Sequence, residues 1–216
     1  MILFEGIDRC GKTTQTKRLV EYLSSKGTCE GIRFPDRTSV IGSLINDYLA
    51  STKETSNVSD QTIHLLFSAN RWEAAKDIEA KLKDGITLVC DRYAYSGVAF
   101  STAKETPGMD LSWCRMCDRG LPSPDVIIYL DMPVEDAAKR GDFGNERYEK
   151  IDFQMKVREK FMDLKAADEA ANLVPWYVIN AHNSIEEISS EINVIVDETI
   201  KAVSNKPIPK LFTEVR

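Results

Sequence analysis

The 216-residue sequence predicts an α/β fold in which five parallel strands form one sheet with helices on both faces. Short apolar runs alternate with longer segments of helical periodicity, which is typical of this class. The chain shows no linker, and 43% hydrophobic with 29% charged residues is an ordinary globular composition. We therefore expect a single domain over residues 1–203 and an irregular C-terminal tail over 204–216.

The five strands are predicted from apolar runs that are too short to be helices. They are Ile2 to Phe4, Gly31 to Phe34, Ile86 to Cys90, Val126 to Leu130 and Trp176 to Ile179. A helical pattern directly follows four of them, and a turn and then a helix follow the second. This alternation favours parallel strands joined by crossover helices.

Eight helices are predicted from the periodicity of their apolar residues. A capping box, Ser184 with Glu187, marks the start of the last one. The helices are Lys12 to Ser25, Ser39 to Ala50, Asp60 to Lys83, Ala94 to Thr102, Leu111 to Asp118, Val134 to Lys139, Lys150 to Ala171 and Ile185 to Val203.

The segment between the first strand and the first helix fits the phosphate-binding pattern G-x-x-x-x-G-K-[ST]. Its glycines, Gly6 and Gly11, let the backbone wrap closely round a polyphosphate, whose charge meets backbone N–H groups and the positive end of the helix. Lys12 reaches the β- and γ-phosphates, and the Thr13 hydroxyl is placed to bind Mg²⁺. The pattern predicts a nucleoside triphosphate site.

A carboxylate and three arginines extend this site. Asp91 ends an apolar strand, as expected of the group that holds Mg²⁺, and Arg92 follows it directly. Arg37 ends the second strand, where a guanidinium can grip a second phosphate. On the third helix, Phe67 and Arg71 share one face at i, i+4 spacing, which suits a planar base. Spacing alone favours the alternative, with Phe67 in the core and Arg71 solvated.

Composition excludes several classes of protein. The net charge of −6 offers no broad basic surface, which argues against nucleic acid as the main partner. No apolar run is long enough to span a membrane and no signal region precedes the first strand, so we expect a cytosolic or nuclear protein.

Five scattered cysteines fit reduced thiols. Cys114 and Cys117 have the spacing of a redox dithiol or half a zinc site, but no second pair or nearby histidine completes a metal site.

The chain resembles thymidylate kinase of the eukaryotic type, in the P-loop nucleoside monophosphate kinase family. The resemblance rests on six blocks that run from the first strand to residue 149. They are Phe4 to Gln15, Arg33 to Arg37, His64 to Glu73, Asp91 to Phe100, Gly120 to Asp125 and Ala138 to Glu149. The polar, glycine-punctuated segment at about 139–149 stands where a small lid could lie, and the alternative is a plain surface loop. The resemblance implies a nucleotide kinase architecture, transfer of the γ-phosphoryl group of ATP to dTMP with Mg²⁺, and a homodimer.

The resemblance also implies roles for individual residues. Lys12, Arg9, Arg92 and Asp91 would be catalytic, and Thr13 and Asp91 would hold the metal. ATP would contact Asp8, Arg9, Cys10, Gly11, Lys12, Thr13, Thr14 and Arg140. The residues implied for dTMP are Asp8, Phe34, Pro35, Arg37, Phe67, Arg71, Arg92, Ser96, Gly97, Phe100 and Tyr148.

Two other functions have to be weighed. A kinase for AMP, UMP or GMP would share the fold and the ATP half, but Phe67, Arg71 and Tyr148 together favour a pyrimidine deoxynucleotide. A GTP-dependent switch would need a D-x-x-G after a later strand and an Asn-Lys-x-Asp guanine reader. The sequence has no Asn-Lys-x-Asp, and its one D-x-x-G lies inside the phosphate loop.

Overall fold

The computed structural model describes residues 1–50, 58–141, 143–203 and 206–213. Its five strands are β1 (Ile2–Glu5), β2 (Cys29–Arg33), β3 (Thr87–Asp91), β4 (Val126–Asp131) and β5 (Trp176–Asn180). They form one all-parallel sheet in the order β2-β3-β1-β4-β5. The predicted fold class is therefore confirmed.

Each strand leads into one or more helices, as the alternating sequence pattern predicts. The helices are α1 (Lys12–Ser24), α2 (Val40–Ala50), α3 (Asp60–Lys83), α4 (Ala94–Thr102), α5 (Leu111–Met116), α6 (Val134–Ala138), α7 (Ile151–Ala170) and α8 (Ile185–Val203). The predicted capping box is also confirmed, because Ser184 Oγ accepts from the Glu187 N–H at 3.2 Å while the Glu187 carboxylate accepts from the Ser184 N–H at 2.9 Å.

The sheet has a hydrophobic core on each face. Successive residues of β1 point to opposite sides, so Leu3 packs in a cluster with α3, α4 and α7, while Ile2 and Phe4 pack in a second cluster with α1, α6 and α8. All four β1 residues are buried. This double burial explains why the central strands have nearly continuous apolar sequences.

Two predicted boundaries differ from the structure by two residues, and all the others differ by at most one. β2 begins at Cys29, which pairs with Thr87 of β3. The sequence did not predict this start because β2 is a half-buried edge strand, and its first residues give little apolar signal. α5 ends at Met116 rather than Asp118. The chain turns there and brings Asp118 into the interior as the partner of Arg71.

The part of the predicted tail that the structure describes, 206–213, is irregular apart from an isolated bridge between Pro122 and Lys210, and it buries Leu211. Residues 204, 205 and 214–216 lie outside the described residues. Across the described ranges, no helix has both the length and the apolar character needed to cross a membrane.

Candidate active site

A loop framed by two glycines, residues 6–11, joins β1 to α1. Gly6 has φ 144°, and a Cβ added there would lie 2.7 Å from the Leu130 carbonyl oxygen, so only glycine fits. Gly11 has φ 102° and leads directly into α1. The first N–H groups of a helix have no partner inside it, and they form a natural binding site for an anion.

Lys12 is buried inside this loop. Its ammonium nitrogen donates to the Gly6 carbonyl at 3.2 Å and to the Ile7 carbonyl at 2.6 Å. The backbone of the phosphate loop therefore holds its own lysine in place. A phosphate in the loop would meet a cation that is already positioned.

Thr13 and Asp91 are adjacent although they lie far apart in the sequence. The Thr13 hydroxyl donates to Asp91 Oδ2 at 2.8 Å. Asp91 ends β3 beside Phe4 of β1, so the sheet register brings it to the phosphate loop. A hydroxyl and a carboxylate are hard oxygen donors of the kind that Mg²⁺ prefers. These two residues fit the predicted metal site.

Arg92 follows β3 in a left-handed conformation, with φ 68°. Its Nη1 donates to the Gly6 carbonyl and to Ser96 Oγ, both at 2.9 Å, and its Nη2 donates to the Asp8 carboxylate. Burial alone would lower the pKa of Arg92, but Asp8 and Glu5 reverse that effect and raise it. The guanidinium therefore stays charged at the end of the phosphate loop.

Asp8 is held from its other side by Gln154, a buried residue of α7. Gln154 Oε1 accepts from the Asp8 N–H at 2.9 Å, and its Nε2 donates to Asp8 Oδ2 at 2.6 Å and to the Tyr148 carbonyl at 3.0 Å. This amide connects the phosphate loop to the segment that carries Tyr148. Sequence analysis did not find Gln154, since a single glutamine in a long helix gives no local signal.

Glu5, the last residue of β1, was also missed. It is fully buried, and it accepts from the Tyr93 N–H at 3.0 Å, the Ser96 N–H at 3.0 Å and Ser96 Oγ at 2.5 Å. Burial raises the pKa of Glu5, although the nearby Arg92 opposes the shift. The carboxyl group anchors the first turn of α4 and, through Ser96, the side chain of Arg92.

Phe67 and Arg71 lie on the same face of α3, as their spacing predicts. Arg71 is only 2% exposed and forms an ion pair with buried Asp118 at 2.6 Å. The interpretation of Arg71 as a solvated neighbour is therefore wrong, because a carboxylate distant in sequence compensates its charge inside the protein. Phe67 is partly buried beside it.

Aromatic rings surround Tyr148. Its ring centroid lies 5.2 Å from that of Phe153 and 5.7 Å from that of Phe100. Its hydroxyl lies 3.3 Å from the hydroxyl of Tyr48. The Arg92 guanidinium lies 5.1 Å from the centroid of Phe100, so the same group of rings extends to an arginine that contacts the phosphate loop.

The described part of the predicted lid contacts the phosphate loop through Arg140 and Glu149. Asp142 lies outside the described residues. The Glu149 carboxylate accepts backbone N–H bonds from Gly144 at 2.9 Å and Asn145 at 3.0 Å, and it also accepts from Arg9 Nε at 2.9 Å. One buried carboxylate thus shapes the lid and attaches it to the loop. Glu149 was not selected from the sequence, although it ends one of the blocks that carry the resemblance.

Two further arginines bridge these elements. Arg140 Nη1 donates to the Arg9 carbonyl at 3.0 Å, and its Nη2 donates to the Ala181 carbonyl at 3.3 Å. Arg37 Nη2 donates to Glu146 at 2.8 Å. Both guanidiniums therefore face the cleft between the lid and the carboxyl edge of the sheet.

These residues line two cavities that meet. The first, which we call the aromatic cavity, is lined by Asp8, Arg33, Phe34, Pro35, Arg37, Leu49, Ile63, Phe67, Arg71, Arg92, Tyr93, Ser96, Gly97, Phe100, Ser101, Glu146 and Tyr148. The second, the phosphate-loop cavity, is lined by Asp8, Arg9, Gly11, Lys12, Thr13, Thr14, Arg33, Arg37, Asp91, Arg92, Arg140, Gly141, Glu146 and Glu149. Asp8, Arg33, Arg37, Arg92 and Glu146 line both.

The cavities match the two predicted groups of residues. Every residue implied for dTMP lines the aromatic cavity, and every residue implied for ATP except Cys10 lines the phosphate-loop cavity. The Cys10 side chain packs in the core, so only its backbone can face a nucleotide. Arg33 and Glu146 line both cavities but were not selected, although both lie within motifs that carry the resemblance.

The Cys114 and Cys117 pair lies apart from both cavities. Cys114 is buried, and burial raises its pKa to about 12, which makes an unreactive thiol. Cys117 Sγ lies 3.1 Å from His64 Nε2. No three histidine, cysteine or acidic side chains of the described ranges are grouped so that they could hold a metal ion.

The five-stranded parallel sheet, the phosphate loop and the two adjoining cavities define a P-loop kinase. The family model described as "Thymidylate kinase" matches residues 4–192. The chain therefore belongs to the thymidylate kinase family.

Individual relatives agree with this assignment. The chain is 47% identical to thymidylate kinase of Dictyostelium discoideum, over 97% of this chain and 90% of the relative. It is 45% identical to thymidylate kinase of Homo sapiens, over 98% and 96% of the two chains. The solved structure of thymidylate kinase from Candida albicans is 33% identical, with a TM-score of 0.82 over 97% of this chain and 96% of that one.

Proposed function

We propose that the two cavities bind the two nucleotides of a phosphoryl transfer, dTMP in the aromatic cavity and ATP in the phosphate-loop cavity. The chain phosphorylates dTMP to dTDP with ATP as the donor, the reaction of its family. The observation that supports this assignment of cavities is their meeting point, where Arg33, Arg37 and Arg92 lie between a base-sized apolar pocket and a phosphate loop.

In the aromatic cavity, Phe67 stacks on the thymine ring and Arg71 donates to a carbonyl of the base. Ser96 and Gly97 face the remaining edge of the base, with Phe34, Pro35 and Phe100 completing the walls. Tyr148 crowds the 2′ position of the sugar and so disfavours ribose. Arg37 and Arg92 hold the phosphate of dTMP, since a guanidinium matches phosphate oxygens in charge and geometry.

In the phosphate-loop cavity, the loop backbone, Lys12 and Thr14 hold the phosphates of ATP, and Arg140 stacks on adenine. Thr13 and Asp91 hold Mg²⁺, because their adjacent oxygens suit that ion. When bound, the metal neutralises charge on the phosphates of the donor.

The transfer itself requires alignment more than covalent chemistry. The acceptor is already a phosphate dianion, so no general base is needed. The arginines of the meeting point offset the repulsion between the two anions, and Arg9 reaches the transferring phosphoryl group from the phosphate loop. Asp8, fixed by Gln154 and Arg92, orients the acceptor near the sugar.

A panel of nucleoside monophosphates tests this proposal. We expect ADP release, measured in a coupled assay with Mg-ATP, to be fastest with dTMP and to require the divalent ion. Faster turnover of AMP, GMP or UMP would assign the chain to another monophosphate specificity. GTP hydrolysis without any acceptor would favour a switch protein instead.

We also propose a homodimer and a cytosolic or nuclear location. Large apolar side chains of α2 and α3, among them Val40, Leu44, Leu65 and Trp72, are exposed, which suits a helix-to-helix interface. The acidic net charge of −6 argues against nucleic acid as a partner. Sedimentation velocity tests the dimer, and imaging of a tagged chain tests the location.

A further inference from the structure

Asp118 is a buried carboxylate that contacts the base-reading arginine of the aromatic cavity without lining the cavity itself. It is 0% exposed. Its Oδ1 accepts from Arg71 Nε at 3.0 Å, and its Oδ2 accepts from Arg71 Nη2 at 2.6 Å. This is a two-point contact, which fixes the plane of the guanidinium as well as its position.

The backbone that carries Asp118 is held by the same helix that carries Arg71. Ser68 Oγ donates to Asp118 Oδ1 at 2.8 Å and to the Cys117 carbonyl at 3.0 Å. Trp72 Nε1 donates to the same carbonyl at 2.8 Å. Ser68 and Trp72 of α3 therefore hold Asp118 and the backbone before it against the arginine.

Gly97 closes the other side of the guanidinium. A Cβ at this position would lie 2.7 Å from Arg71 Nη2 and 3.0 Å from Nη1, so the first turns of α4 pass directly against the arginine. Asp118 accepts from two of the five N–H groups of Arg71. Arg71 also lines the aromatic cavity, where its remaining N–H groups are left to bind a ligand. The side chain has little room to take another orientation.

From this arrangement we propose that Asp118 is a positioning residue that sets base specificity by fixing Arg71 as a hydrogen-bond donor. The proposal rests on the function proposed above. An arginine has no acceptor, so it suits a pyrimidine with a carbonyl at position 4 and opposes one with an amino group there. A mobile arginine could swing away from the 4-amino group. An arginine held by Asp118 cannot, so its N–H and the amino group of the base face each other as two donors. Both groups are then buried without a hydrogen-bond acceptor, which lowers the affinity for that base.

Asp118→Asn tests the proposal, because the amide keeps the volume of the carboxylate but can accept only one of the two bonds. We expect the ratio of kcat/KM for dTMP to that for dCMP to fall about tenfold or more, which corresponds to the loss of one charged hydrogen bond. The change should combine a higher kcat/KM for dCMP with a higher KM for dTMP, and the KM for ATP should stay unchanged. An unchanged ratio would overturn the proposal.

Asp168→Asn is the matched control. Asp168 is also 0% exposed and also accepts from an arginine, Arg115 at 3.1 Å, but that arginine, unlike Arg71, lines neither cavity. We expect this variant to lose stability without a change in the ratio between the two substrates. If it shifts the ratio as much as Asp118→Asn does, general loosening of the fold accounts for both and the proposal fails.

Ser68→Ala gives a milder second variant in case Asp118→Asn does not fold. Loss of the Ser68 bond should loosen the carboxylate and lower the dTMP to dCMP ratio by a few-fold; no change in a folded Ser68→Ala protein would count against the proposal. Failure of the proposed function is distinguishable, because the unmodified protein would then show no preference for dTMP over the other monophosphates.

Discussion

The aromatic cavity and the phosphate-loop cavity are built in opposite ways. Arg71 of the aromatic cavity is 2% exposed and paired with a carboxylate that is also buried. The arginine of the phosphate loop, Arg9, has a side chain that is 33% exposed, and Arg140 is exposed as well. One cavity places Arg71 in the core of the protein, while the other adds the more exposed Arg9 and Arg140 to its buried Lys12.

This difference predicts different consequences of mutation. Removing one member of a buried ion pair leaves an uncompensated charge in the interior, while an exposed pair contributes little because water screens it. Changes at the aromatic cavity should therefore affect stability and base selection together. Changes at the phosphate-loop cavity should affect the binding and turnover of ATP with little effect on stability.

The largest effect is expected at Arg92, which lines both cavities. Arg92→Ala should lower kcat by about 10³-fold or more, because an arginine that stabilises the transferring phosphoryl group contributes on that scale. A coupled assay at saturating dTMP and ATP measures this. A loss confined to the KM for dTMP would mean that Arg92 only binds the acceptor.

Comparison of Arg71→Ala with Arg140→Ala tests the difference in stability. Arg71→Ala should lower the free energy of unfolding by roughly 3–5 kcal/mol, because it leaves Asp118 buried and unpaired. Arg140→Ala should lower it by less than about 1 kcal/mol. Urea unfolding followed by circular dichroism measures both. Equal losses would remove the distinction between a buried and a surface cavity.

Glu149→Gln tests the attachment of the lid. The glutamine would weaken the bonds from Arg9 and from the N–H groups of Gly144 and Asn145, so the KM for ATP should rise about tenfold. The KM for dTMP should change little. Glu159→Gln, at an exposed position of α7, serves as the control. A rise in KM for both nucleotides would show that the lid serves the aromatic cavity equally.

The smallest effect concerns pH. His64 lies under the aromatic cavity with Nδ1 2.7 Å from Ser101 Oγ and Nε2 3.0 Å from the Cys114 carbonyl. Burial lowers the pKa of His64, and Arg71 adds to the shift. Because the unfolded chain then binds more protons below about pH 6.5, stability should fall as the pH is lowered from that value.

Urea unfolding at pH 7.5 and 5.5 checks this dependence. His64 should contribute less than about 1.4 kcal/mol of the loss per pH unit, the equivalent of one pKa unit. His64→Gln should lose less stability on acidification than the unmodified protein. His182→Gln, at an exposed position, is the control and should behave like the unmodified protein. Equal slopes for His64→Gln and the unmodified protein would contradict the assignment.

The sequence predicted the fold and much of the candidate site because those signals are local. Each strand is a short apolar run, and the phosphate loop carries Gly6, Lys12 and Thr13 within a few positions. Asp91 and Arg92 were selected because they end a strand at the edge where ligands bind parallel sheets. These features need no knowledge of tertiary contacts.

The supporting residues could not be predicted because their roles depend on distant partners. Glu5 follows an apolar run in the sequence, but its carboxylate binds Ser96 of α4. Gln154 reaches Asp8, and Asp118 reaches Arg71, from other parts of the chain. For such residues the polar side chain is visible in the sequence, while its burial and its partner appear only in the folded protein.

Two adjoining cavities should each bind one of the two nucleotides. Calorimetric titration of Arg71→Ala and Arg140→Ala with dTMP, and with a non-hydrolysable ATP analogue, tests it most directly. We expect Arg71→Ala to weaken dTMP by about tenfold or more and to leave the ATP analogue unchanged, with the reverse result for Arg140→Ala. Equal weakening of both nucleotides in both variants would contradict the claim.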